Sequence, residues 1–340
     1  MTLFVTFGSW GEIAPLLEIC IRVGGEFLTT DDWAPRVREY GVKCHEIPSV
    51  KHSDTLDAFI RAHLLGRQSL IYDTIAAVNP SNLVASFYAF PAQAYAEKNQ
   101  IPIVATTTSP YYFMQTERAD SLSECVAEYE SLRSKLGLKN DNHAPVHLAG
   151  VYPWYLHTDV GAIPVGFPQL RSLNPLSEKV ADFIKSPYGV VSRGTLVSKG
   201  ESQRMINAIR AYGLGALYLG PHDVDADCVA FLDDHAAAVS RATIAFTHAG
   251  IGTTIDCMGS PMVVCPAGYD QFYNANRLID LKCAVGVKDS YIRAIDEAIG
   301  PRSYLPNYFD HDLFMRLMNA DSTSQFSRST ANAGECPQIH

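Results

Sequence analysis

Two stretches of the chain carry residues whose types and spacing suit an anion and a polyol. The first is Thr247-His248-Ala249-Gly250-Ile251-Gly252-Thr253-Thr254. An apolar run, Ala242 to Thr247, reads as a buried strand leading into this glycine turn. Glycines let backbone approach a ligand closely. A helix opened by Thr253 or Thr254 would aim its unpaired N–H groups and positive dipole end at an anion. The threonine hydroxyls and the His248 ring add further donors. The plainer alternative is a strand-to-helix turn capped by a threonine. The second stretch is Asp270-Gln271, after the apolar run Met262–Cys265 and the loop Pro266-Ala267-Gly268-Tyr269. A carboxylate beside a carboxamide, at the carboxyl end of the adjacent strand, is suited to gripping sugar hydroxyls. The alternative here is a helix N-cap followed by an exposed glutamine.

The elements that must position these residues alternate. Leu3–Phe7 reads as a parallel strand, and Ile13, Leu16, Leu17 and Cys20 then recur at helical spacing until Gly24-Gly25 stops the helix. Strand 26–29, helix 33–40 and strand 42–47 follow, then strand 83–87, helix 92–98, strand 103–106 and helical spacing over 117–136. From Lys139 to Pro175 prolines and glycines are dense, which suits loops and an interdomain linker. A second alternating set comprises strand 189–192, helix 201–212, strands 215–219, 242–247 and 262–265, and a helix from Gln271 to about Lys282. Strands alternating with helices imply parallel sheets with right-handed crossovers. Two such sets predict two doubly wound α/β domains. We place an N-terminal Rossmann-like domain at 1–168, a C-terminal one at 169–318, and a disordered Ser/Thr-rich tail at 319–340.

Taken in order and spacing, His248-x-Gly250-x-Gly252-Thr253-Thr254, Asp256, Gly259-x-Pro261, Pro266, Asp270-Gln271 and Asn274-Ala275 resemble the donor-site signature of UDP-dependent glycosyltransferases. The variants most like it belong to sterol, macrolide and glycopeptide glucosyltransferases. Gly8-Ser9-Trp10-Gly11-Glu12-Ile13-Ala14-Pro15 resembles the turn after the first strand of that subgroup. The resemblance implies a GT-B fold, two Rossmann-like domains facing across a cleft. It assigns His248, Gly250, Gly252, Thr253 and Thr254 to the diphosphate, and Asp270 and Gln271 to the hexose. Gly8, Ser9, Ser192, His235 and Asn274 become further donor or cleft contacts. Glu12 falls where some relatives hold the base that deprotonates the acceptor hydroxyl. It would equally suit the first turn of a helix, where negative charge is favoured. Arg193 departs from the glycine expected in the second domain's first turn. A C-terminal helix that closes back on the first domain would be represented by 310–318.

The implied reaction is inverting transfer of a hexose from a UDP-sugar, as co-substrate, to a hydroxyl of a small lipophilic acceptor such as a sterol. It needs no cofactor and no metal. The alternatives are a protein of the same fold that binds a nucleotide sugar without efficient transfer, and a UDP-sugar epimerase. The turn at Gly8 lacks the G-x-G-x-x-G spacing of a dinucleotide site, which speaks against a nicotinamide enzyme. Bulk properties agree with this reading. At 340 residues the chain can fill two cores of roughly 150–170 residues. A net charge of −9 argues against a nucleic-acid groove, which needs clustered Lys and Arg. No apolar run approaches the ~18 residues of a membrane span, and no secretory signal leads the chain. We therefore expect a cytoplasmic protein, with peripheral membrane contact still open. The eight cysteines contain no C-x-x-C pair and sit largely in apolar runs, as buried reduced thiols do. Asp223, Asp225 and Asp227 alternate without the glycine and distal glutamate of a calcium loop, which suits a solvated turn.

Overall fold

The structure, a computed structural model, describes residues 1–50, 61–109, 120–138, 147–156, 161–192, 198–230, 235–268, 270–300 and 308–319. The chain divides into two compact units. The described residues up to Tyr152, those from 161 to 168 and those from 309 onward form the first; 153–156 and Gln169–Tyr308 form the second.

The first unit is built on a parallel sheet whose strands are β1 (Thr2–Val5), β2 (Glu26–Thr30), β3 (Cys44–Ile47), β4 (Asn82–Ser86), β5 (Ile103–Thr107), β6 (His147–Gly150) and β7 (Ile163–Pro164). Their order is β3-β2-β1-β4-β5-β6-β7. Leu3, Phe4 and Val5 are fully buried, as expected of a central strand covered on both faces. Helices α1 (Trp10–Val23), α2 (Ala34–Glu39), α3 (Gln68–Val78), α4 (Phe90–Asn99) and α5 (Asp120–Lys135) are the crossovers. Gly24 ends α1 in the left-handed conformation, φ 74°, with its N–H on the Cys20 carbonyl. Arg133 of α5 is completely buried, bonded to Glu97 of α4 and 5.6 Å from the Tyr129 ring.

The second unit repeats the plan. Its strands are β8 (Tyr188–Ser192), β9 (Gly215–Leu219), β10 (Cys228–Ala230), β11 (Ile244–Thr247), β12 (Met262–Val264) and β13 (Ala284–Gly286), all parallel in the order β10-β9-β8-β11-β12-β13. Helices α6 (Glu178–Phe183), α7 (Lys199–Ala211), α8 (His235–Val239), α9 (Ile251–Asp256), α10 (Gln271–Asp280) and α11 (Tyr291–Ile299) lie in this unit. Ser198 caps α7 by accepting from the Glu201 N–H at 3.3 Å, and Ser290 caps α11 by accepting from Arg293 at 3.2 Å.

A last helix, α12 (His311–Asn319), returns to the first unit and packs against β5 and β6. Phe314 is fully buried there, Leu317 and Met318 nearly so. The Asp310 N–H donates to the Val165 carbonyl at 2.8 Å, which pins the start of the helix.

In both units the first strand pairs with the second on one side and the fourth on the other, the 3-2-1-4 order of a doubly wound sheet. One expectation fails. The stretch 139–175, read as loop and linker, contributes β6 and β7. These strands have four and two residues, too short to show a periodicity; β6 forms on the edge that β5 offers, and β7 on the edge of β6. The tail 320–340 lies outside the described residues.

Candidate functional site

A doubly wound sheet opens a crevice beyond the carboxyl ends of its strands where the winding reverses. In the second unit this point lies between β8 and β11, with Thr247 opposite Ser192. The turn after β11 is tightly held. The Ala249 N–H donates to the Thr247 hydroxyl at 3.2 Å, and Ala249 takes φ 63°, unusual for a residue with a side chain. Gly250 is the N-cap of α9. A Cβ there would land on Nε2 of His248, so the glycine is what lets the His248 ring fold over the helix start. His248 Nδ1 lies 3.4 Å from the Ser192 carbonyl.

Gly252 is different. An added Cβ would meet no described atom within 4 Å, and its φ is not in the left-handed region. The fold does not require glycine at this position, and space stands open beside it. The helix begins at Ile251, earlier than the sequence suggested. Thr253 and Thr254 therefore do not open it. Thr253 is in its first turn, and Thr254 is buried with its hydroxyl unpartnered among the described residues.

Asp270 and Gln271 stand after β12, the strand beside β11, and begin α10. The side-chain oxygen of Gln271 accepts from the backbone N–H groups of Ala267 (2.8 Å) and Gly268 (3.2 Å), which shapes the preceding loop. What Gln271 can offer a ligand is its amide nitrogen. Asn274, almost fully buried, donates to the Ala249 carbonyl and to Asp270 Oδ2, each at 3.0 Å. Its nitrogen thus ties the Ala249 turn to the Asp270 loop, while its buried oxygen has no hydrogen-bond partner among the described residues.

A second set of contacts was not foreseen from sequence. Ser192 Oγ is 2.7 Å from His235 Nε2, His235 Nδ1 is 3.3 Å from Asp256 Oδ2 and too poorly aligned to count as a hydrogen bond, and Gln169 donates to Asp256 Oδ1 at 2.6 Å. Gln169 gives no sequence signal, because only the fold carries it to α9. Arg193, Asp234 and Tyr269 lie outside the described residues, as does 110–119.

In the first unit, Gly8, Ser9 and Glu12 occupy the corresponding point after β1. Ser9 is the N-cap of α1 but makes no side-chain cap bond. Glu12 stands in the first turn of the helix, and its Oε2 accepts from the Tyr88 hydroxyl at 2.8 Å. A Cβ on Gly8 would land on that same oxygen, so glycine makes room for the carboxylate. Tyr88 escaped the sequence reading because it lies just past β4, which only the sheet order places beside β1.

Elsewhere the plainer readings fit. The described cysteines form no disulfide and are buried, and burial pushes Cys20 up to about 12 and Cys44 and Cys125 to about 11. Asp225 and Asp227 both pair with Arg210, at 3.1 and 2.9 Å. Among the described residues no helix is long and apolar enough to cross a membrane.

Comparison with known proteins agrees with this architecture. Residues 207–301 match the Glycosyltransferase family 28 C-terminal domain. No curated protein matches the chain. Among solved structures, the glycotransferase of kitacinnamycin superposes with a TM-score of 0.66 at 16% identity, covering 88% of this chain and 90% of that one. Spinosyn forosaminyltransferase SpnP gives 0.67 at 14% identity, covering 94% and 91%. SsfS6, a glycosyltransferase of Streptomyces sp. SF2575 complexed with thymidine diphosphate, gives 0.61 at 17% identity, covering 88% and 94%. The chain has the GT-B fold, with a parallel-sheet α/β architecture in each unit.

Proposed function

We infer that the protein transfers a hexosyl group from a nucleoside-diphosphate sugar, a UDP-hexose in the first instance, to a hydroxyl of a small lipophilic acceptor. One observation carries this reading. His248, the open space beside Gly252 and the Asp270–Gln271 pair stand at the carboxyl ends of the adjacent strands β11 and β12, fastened together by Asn274. The N–H groups of the α9 start and the His248 ring suit a diphosphate, and Asp270 with the Gln271 amide suits sugar hydroxyls. The thymidine diphosphate bound by SsfS6 makes TDP-sugars the first rivals to UDP-sugars as donors.

In this reading the acceptor oxygen attacks the anomeric carbon opposite the leaving diphosphate, which gives inversion. The acceptor proton passes to Glu12. The anomeric C–O bond breaks with its electrons going to the β-phosphate, whose growing charge is met by His248 and the backbone N–H groups. Donors fixed in advance at a leaving group lower a barrier by stabilising charge as it develops.

The test is thermal stabilisation by UDP-, TDP- and GDP-sugars, followed by mass analysis of products with cholesterol and other sterols. A glycosylated sterol is the expected product. Nucleotide binding without any product, in water or with acceptors, would leave a binding protein, and an isomerised donor would identify an epimerase. No stabilisation by any nucleotide sugar would sink the site itself.

A further inference from the structure

The turn after β1 holds more than a lone carboxylate. Behind Glu12 runs a line of hydroxyls: Ser86 Oγ lies 2.7 Å from Thr6 Oγ1, Thr6 Oγ1 lies 3.4 Å from the Tyr88 oxygen, and that oxygen lies 2.8 Å from Glu12 Oε2. Ser86, Thr6 and Tyr88 are all buried, at the carboxyl ends of the paired strands β1 and β4. Counting protons fixes the direction of the line. An ionised carboxylate only accepts, so Tyr88 spends its single proton on Glu12. Thr6 must then donate to Tyr88, and Ser86 to Thr6. Every O–H dipole points at the carboxylate. Burial, with the Glu12 charge beside it, holds the Tyr88 phenol well above its ordinary range, so it stays protonated and remains a donor. The space this takes is provided on purpose by Gly8, where any side chain would displace the carboxylate.

We propose that Tyr88, backed by Thr6 and Ser86, is a positioning residue that keeps Glu12 ionised and aimed for removing the acceptor proton. The proposal rests on the reading of Glu12 as the base. A glutamate side chain has several rotatable bonds, so its carboxylate needs an anchor to stay aimed. When Glu12 takes the proton on Oε1, Oε2 still accepts from Tyr88 but as a weaker, neutral acceptor, which favours passing that proton to solvent water as the product leaves.

The test is Tyr88→Phe, which keeps the ring and removes the hydroxyl. Glu12 is followed by carbon-13 NMR of labelled glutamate carboxyls, its signal assigned by its loss in Glu12→Gln. A lost hydrogen bond to the charged form raises the midpoint of Glu12 by about one pH unit. Ser86→Ala, which touches Thr6 and Tyr88 and not the carboxylate, raises it less. UDP release from UDP-glucose, with water or cholesterol as acceptor, should fall about tenfold in Tyr88→Phe at neutral pH because the carboxylate loses its aim, and the acid limb should move up with the NMR midpoint. A Glu12 midpoint that stays in place in folded Tyr88→Phe overturns the proposal. Full activity of Glu12→Gln instead overturns the base reading, whatever Tyr88 does.

Discussion

Replacing Gly252 by alanine should strengthen the fold and weaken the site at once. Gly252 lies in the first turn of α9 with φ outside the left-handed region, and nothing described lies within 4 Å of the new methyl group. Alanine in a helix is favoured over glycine by about 0.5–1 kcal/mol, and the gain is smaller near an end. For a unit of this size that corresponds to a melting temperature higher by about 1–3 °C. A diphosphate lying against the α9 start would meet the methyl group instead of bare backbone. Losing one hydrogen bond to a charged oxygen costs about 1.5–3 kcal/mol, or about 10- to 150-fold in affinity. Differential scanning calorimetry of the apo protein and isothermal titration with UDP and TDP read the two effects separately. Unchanged affinity for both nucleotides in a variant at least as stable as the parent would refute the argument, because the open space would then hold no ligand.

Asn274→Ala releases the Ala249 carbonyl and the Asp270 carboxylate together, which should cost about 1–3 kcal/mol in urea unfolding and weaken nucleotide binding; a change under about 0.5 kcal/mol would show the tie to be dispensable. Lys282 is exposed and takes φ 58° just after α10, so Lys282→Gly should stabilise the protein by about 1 kcal/mol, and a lower melting temperature would contradict that. Cys20, Cys44 and Cys125 are pushed up to about 12, 11 and 11 by burial, which leaves almost no thiolate at pH 8. Peptide mapping after iodoacetamide treatment should find these three unmodified until the protein is unfolded.

Much of the candidate site in the second unit was legible in the sequence because its pattern is local. The turn from Thr247 to Gly252 and the pair Asp270-Gln271 each follow an apolar strand, and strand-turn-helix patterns survive in a linear reading. Gly24 as the end of α1 was readable for the same reason, whereas the helix at 310–318 was expected only from the family resemblance. The sequence pattern also determined the class: strands alternating with helices can only close as parallel sheets with crossovers. Strand order and side-chain partnership were decided by the tertiary structure. Tyr88 meets Glu12 across 76 residues, Gln169 meets Asp256 across 87, and β6 forms only because β5 leaves an edge to pair with, as β7 does on β6. The sequence likewise named Gln271 and Asn274 without showing that the loop takes the Gln271 oxygen and the turn takes the Asn274 amide. Such bonds join residues that become neighbours only after the sheet is wound, so no spacing along the chain encodes them.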